Sequence, residues 1–171
     1  MTDLTIIESV LGTAWRRSSP VHGEEHWRCV AASGLALADS LSGCDRELVL
    51  LFGLLHDTRR ENEHVDPQHG PRAAAWAREL AHDGVLVLDE RRLELLCHAV
   101  SLHTDGLVSD DPTVAACWDA DRLHLPRVSI DPDPARFSTV LARRPEALEE
   151  SARVRAAPPG WPELLAACGD A

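Results

Sequence analysis

The run Leu48-Val49-Leu50-Leu51-Phe52-Gly53-Leu54-Leu55 is the most apolar stretch of the chain, and it ends in His56-Asp57. Continuous apolarity without alternation reads here as a buried helix. A core helix that closes on two polar groups is under a strong constraint. A buried carboxylate costs several kcal/mol unless it is paired or bound to a cation. A metal ion satisfies a histidine and an aspartate together, and further histidines and aspartates elsewhere in the chain complete that idea.

Helical periodicity dominates the remaining sequence, and no segment alternates well enough for a strand. The first helix runs from a cap at Thr2 or Asp3 through Ile6, Ile7, Val10, Leu11 and Trp15. A second spans about His22–Leu41, and a third Arg46–His56. Residues 58–68 form a polar loop whose length suits an active site better than a plain connector. A fourth helix opens at His69-Gly70-Pro71 and stops at Gly84. A fifth covers Asp89–His103, and a sixth Thr113–Leu123 after Pro112. Two short helices, about 145–156 and 161–168, close the chain. The expectation is one all-α domain over 1–171, a helical bundle with a metal site between helices. Trp15, Trp27, Trp76 and Trp118 read as core anchors.

Composition narrows the function classes. With 28 acidic and 17 basic residues, every basic one arginine, the net charge is -11. That opposes general nucleic-acid binding, whose affinity comes from neutralising phosphates. No apolar run approaches the ~20 residues of a membrane helix. The N-terminus lacks the pattern of a secretory signal, so a cytoplasmic location is expected. The five cysteines show no CxxC spacing and are expected to be reduced and structural. P-loop, GxGxxG, GxSxG and HExxH patterns are absent.

Four helices each bring a metal-competent residue to a helix end or polar loop: His26, His56 with Asp57, His103, and Asp121. Imidazole nitrogen with carboxylate oxygen suits manganese, iron, cobalt, nickel or zinc, and is softer than the all-oxygen shell of magnesium. His98 is the alternative to His103, which is preferred because it precedes the loop Thr104-Asp105-Gly106. Asp119 is the alternative to Asp121. His22, four residues before His26, can share its helix face as a supporting or substrate contact. His64, His82 and His124 are expected to be solvated.

Taken in order, His26 in Gly23-Glu24-Glu25-His26-Trp27, the pair His56-Asp57, and Asp119-Ala120-Asp121-Arg122-Leu123 resemble the HD-domain superfamily of metal-dependent phosphohydrolases. The resemblance covers about residues 20–128 and leaves the role of the tail 129–171 open, as cover, cap or dimer contact. It implies His26, His56, Asp57 and Asp121 as ligands of one divalent transition metal. Members with two metals carry further histidines, which His69 and His103 would supply, with Asp57 as the bridge.

The implied activity is hydrolysis of a small phosphorylated metabolite or nucleotide by metal-activated water. Asp57, Arg59, Arg60 and Glu61 are then the candidate catalytic residues. Arg72, Arg122 and Arg127 are further candidates for phosphoryl charge, and Asp66 is the alternative to Glu61 as acid or base. The ppGpp-hydrolase and cyclic-dinucleotide motifs of better-known relatives are not evident. Two rivals stand beside this reading: a di-iron oxygenase of the same superfamily, and a non-catalytic, metal-stabilised ligand-binding module.

Overall fold

A computed structural model describes residues 2–169, so the outermost positions of the expected 1–171 domain lie outside the described residues. Among the described residues there are eight α-helices and no strand. They are α1 (Leu4–Thr13), α2 (Glu24–Ala38), α3 (Arg46–Leu55), α4 (His69–His82), α5 (Glu90–Leu102), α6 (Pro112–Leu123), α7 (Pro145–Ala156) and α8 (Trp161–Gly169). None of these helices is long and apolar enough to cross a membrane.

The bundle is organised around α3. Leu48 through Leu55 are all buried, and α3 touches α1, α2, α4, α5, α6 and α8. Each fully buried leucine contributes about 1.5–3 kcal/mol relative to exposure, so this helix is held rigidly by its neighbours. Its start is fixed as well. The Asp45 carboxylate caps it by accepting from the Leu48 N–H at 3.1 Å, and Arg92 bridges Asp45 and Glu47. The residues that follow α3 are therefore delivered to a fixed point in the core.

The helix boundaries follow local chemistry. Aspartates cap four helices: Asp3 at α1, Asp45 at α3, Asp89 at α5 and Asp111 at α6. Pro112 occupies the first turn of α6, where a missing N–H is harmless. After α4, Gly84 takes φ +76°, a left-handed turn open to glycine at no steric cost. α2 is shorter than the sequence suggested. The Ser19 hydroxyl accepts from the N–H groups of Val21 and His22, holding them in a turn before the extended Gly23. At its far end, tight turn bonds replace the helix between Leu37 and Leu41.

Trp27, Trp76 and Trp118 are buried as expected, whereas Trp15 is 44% exposed. Trp15 lies beyond the end of α1, where its N–H donates to the Thr58 carbonyl at 2.8 Å. Its ring faces the Arg59 guanidinium at 5.1 Å. All five cysteines are free thiols.

The tail is knitted to the bundle. α7 packs on α2 and α6, and α8 on α1, α2 and α3. The fully buried Asp119 accepts from the N–H groups of Ser138 at 2.8 Å and Thr139 at 2.7 Å. Ser151 donates to the Leu123 carbonyl, and the Trp161 indole donates to Glu24.

Helices α2 and α3 approach closely at Gly53. A Cβ added at Gly53 would lie 2.6 Å from the Ala31 Cβ and 2.8 Å from its backbone. Gly53→Ala should therefore destabilise the protein by about 1–3 kcal/mol, the usual cost of overpacking. Urea denaturation measures this, and an unchanged midpoint would contradict so close a crossing.

Candidate metal centre

Helix ends aim three imidazoles inward. His56 caps the C-terminus of α3, and its Nδ1 faces the carbonyls of Phe52 at 3.2 Å and Gly53 at 3.1 Å. His103 caps α5 in the same way, with Nδ1 2.7 Å from the Val100 carbonyl. His69 opens α4, and its Nδ1 meets the Asp66 carbonyl. A carbonyl can only accept, so each neutral ring carries its proton on Nδ1 and leaves Nε2 as a bare lone pair.

Those lone pairs converge. His69 Nε2 and His103 Nε2 lie 2.8 Å apart, and His26 Nε2 and His56 Nε2 lie 3.3 Å apart. The first pair sets two bare acceptors face to face, which repel unless something positive sits between them; in the second, His26 Nδ1 has no hydrogen-bond partner of its own. A proton is a poor candidate, because burial drives the His103 imidazole down to about 4 and pushes His26 well below the usual histidine range. The Thr104 hydroxyl, 3.5 Å from His69 Nε2, is too far to relieve the contact. A metal ion relieves it. Two nitrogens about 2.1 Å from one ion and about 90° apart are about 3.0 Å from each other.

The carboxylates complete two groups. His26 Nε2 lies 3.4 Å from Asp121 Oδ1 and 3.8 Å from Asp57 Oδ2, and His56 Nε2 lies 3.8 and 3.7 Å from the same atoms. The other oxygen of Asp57, Oδ1, is 3.2 Å from His69 Nε2 and 3.8 Å from His103 Nε2. Two trios, His26-His56-Asp57 and Asp57-His69-His103, are each compact enough to hold a metal ion, and they share Asp57. All six sequence-nominated ligands are thus brought together. The donor set is entirely nitrogen and oxygen, which fits a divalent transition metal and gives no role to thiolate.

Charge around the carboxylates agrees with that use. Burial alone would raise Asp57, but the imidazoles of His56, His22 and His69 and the Arg60 guanidinium around it hold it well below the usual carboxylate range. Burial likewise opposes the charge on Asp121, and His26, His56 and His103 outweigh it. Asp119 behaves oppositely: burial raises it, and both of its oxygens are spent on the tail. Asp119 is a structural anchor, and Asp121 faces the histidines. His98 is exposed beside Trp118, away from the cluster.

The other nominated residues divide clearly. Arg60 lies at the centre, its Nε donating to Asp57 Oδ1 at 3.0 Å. Arg59 points the opposite way: its guanidinium lies 3.5 Å over the Trp76 ring and donates to the Thr13 carbonyl at 2.8 Å. Adjacent residues leaving a helix end diverge, so Arg60 and Arg59 cannot share one site. Glu61 is exposed, 3.7 Å from Arg72, and does not line the cavity over the cluster. Asp66 and Arg72 hold the loop itself, Asp66 accepting from the Glu61 N–H and from Arg72. Arg122 reaches the cavity wall but spends its guanidinium on the carbonyls of Gly106 and Arg136.

His64 and His82 are exposed, as expected, whereas His124 is fully buried. Its Nε2 donates to the Cys29 carbonyl at 3.0 Å beside Ser33, leaving Nδ1 to accept from Arg155 at 3.2 Å. That arrangement requires a neutral ring. Burial, with Arg155 and Arg127, lowers it to about 3.

Above the cluster opens a cavity of about 460 Å³ reached by Asp57, Asp121 and His103. Two residues of its wall were candidates in the sequence, His22 as a supporting or substrate contact and Arg127 for phosphoryl charge. His22 Nδ1 lies 3.1 Å from Asp57 Oδ2, and Arg127 Nη2 lies 3.3 Å from that same nitrogen. The His22–His26 spacing was the available signal. The outer wall comes from residues 125–136, for which the sequence carried no motif.

Compared with protein-family models, curated proteins and solved structures, the chain matches none.

The buried neutral histidines set an acid dependence for the metal-free protein. Unfolded histidine titrates near 6.5, but folded His103 does so at about 4 and His124 at about 3. Between these values the unfolded chain binds more protons, so stability falls as pH falls. Asp57 and Asp121 are ionised in both states above pH 5 and do not contribute there. From pH 7 to pH 5, with chelator present, unfolding free energy should drop by at least about 2 kcal/mol. A flat urea-denaturation profile would contradict the assigned neutral rings.

Proposed function

We propose that the protein is a metal-dependent phosphohydrolase acting on a small phosphorylated metabolite. The observation that carries the proposal is the pair of histidine–aspartate groups sharing Asp57, set under a cavity whose walls hold Arg60 and Arg127. His26, His56, Asp57 and Asp121 would hold one divalent ion, and Asp57, His69 and His103 a second. Ions bound there supply water with a pKa lowered from about 15.7 to about 7, together with positive charge for phosphoryl oxygens.

The remaining tasks fall to the chain. Arg60 is anchored by Asp57 and by the His64 carbonyl, which orients its guanidinium beside the cluster. Arg127 is anchored on the carbonyls of Val21 and His124. Pre-placed guanidiniums suit the non-bridging oxygens of a phosphoryl group, since little reorganisation is needed when charge develops. His22 keeps the edge of Asp57 in place.

One feature favours a second reading. The Asp57-His69-His103 group offers two imidazoles and one carboxylate oxygen, a balance that also suits redox iron in an oxygenase.

The test begins with protein purified without chelator and loaded with manganese, iron, cobalt, nickel or zinc. Phosphate release from p-nitrophenyl phosphate is followed in air and under argon, beside metal content by plasma mass spectrometry. The expected result is metal-dependent, oxygen-independent release with two ions per chain, one in His69→Ala and none in His56→Ala/Asp57→Ala. Arg60→Ala should keep its metal yet lose about 10²-fold in kcat/KM, the scale for one preorganised donor. Turnover only in air would favour the oxygenase. Bound metal without turnover under any condition would favour a binding module. Unchanged metal in the double variant would remove the metal centre altogether.

A further inference from the structure

Within that phosphohydrolase reading, on which this step rests, the cavity wall points to the body of the substrate. Besides the metal cluster and its arginines, the cavity is lined by Val65, Leu125, Val128, Ile130 and Pro132. Val65 and Ile130 are 89% and 51% exposed, so apolar surface stands open at the mouth of an otherwise charged site. Among the described residues no phenylalanine, tryptophan, asparagine or glutamine lines the cavity. Aromatic rings are the usual stacking platform for a nucleobase and side-chain amides the usual readers of adenine, while Arg122 and Arg127 are committed to backbone carbonyls. Of the imidazoles present, His22 and His103 are bound to Asp57 and Val100, and only His64, at the rim, is exposed.

We infer that the site takes phosphomonoesters of short aliphatic alcohols, with the phosphate against the metal cluster and Arg60 and the alkyl body against Val65, Val128 and Ile130. The reaction is hydrolysis: water adds to phosphorus, the P–O bond to the alcohol breaks, and the alcohol leaves with one proton. A volume of about 460 Å³ accommodates a phosphate and a chain of several carbons. The wall segment 125–136 belongs to the chain between α6 and α7, and Asp119 fixes its far end through Ser138 and Thr139. Selectivity is thereby built from the segment between α6 and α7 and from Val65 in the loop before α4, while the metal ligands come from the bundle.

The test compares methyl, ethyl, propyl and butyl phosphate with adenosine 5′-monophosphate on manganese-loaded full-length protein. Each methylene laid on the wall should raise kcat/KM about fourfold, or about sixtyfold from methyl to butyl. The nucleotide should fall below butyl phosphate. Ile130→Asp, at an exposed position that does not threaten folding, should flatten the chain-length series. A flat series in the unmodified protein, or a nucleotide far better than butyl phosphate, overturns this inference and leaves the hydrolase reading standing. No phosphate release from any of these esters or from p-nitrophenyl phosphate, with metal bound, overturns both.

Discussion

Three hydrogen bonds from imidazole Nδ1 to backbone carbonyls govern the rest of this structure. His56, His69 and His103 each bond within a helix end or the turn beside it, so local folding alone sets both ring orientation and tautomer. The consequence is a set of unprotonated nitrogens turned on one another in a buried space, with carboxylates between them. Such an arrangement is self-repulsive without a cation and favourable with one. Backbone carbonyls supporting ligand histidines in this manner are the usual outer layer of a metal site.

The bundle explains how that arrangement is tolerated. Apolar burial along α3 pins His56 and Asp57 whether or not their polar atoms are satisfied. Asp57 is the keystone, its two oxygens divided between the histidine groups while Arg60 and His22 press on its flanks. An ion that binds the native chain and not the unfolded one adds stability by mass action, about 2.7 kcal/mol at a hundredfold excess over Kd. That added stability is itself lost in acid, because ligands must be deprotonated.

Much of this was legible in the sequence. Long apolar periodicity and the glycines and prolines that interrupt it located the helices, since both signals are local. The His56-Asp57 pair was conspicuous because it broke an apolar run, and His26, Asp121, His69 and His103 followed from helix ends and family resemblance. What escaped depended on three-dimensional direction. Arg59 and Arg60 are neighbours in sequence, yet one stacks on Trp76 and the other donates to Asp57. His124 looked like a surface residue, yet α2 and the return of α7 enclose it. The wall from residues 125–136 consists of two short 3-10 turns and the link between them, too short to carry a periodicity.

Diffraction from crystals of metal-loaded protein, collected at the absorption edge of the bound metal, tests the central claim most directly. Anomalous peaks are expected between the Nε2 atoms of His69 and His103, and among His26, His56, Asp57 and Asp121. Crystals grown with manganese, cobalt or zinc that show no peak there, with the His69 and His103 rings turned apart, would contradict it.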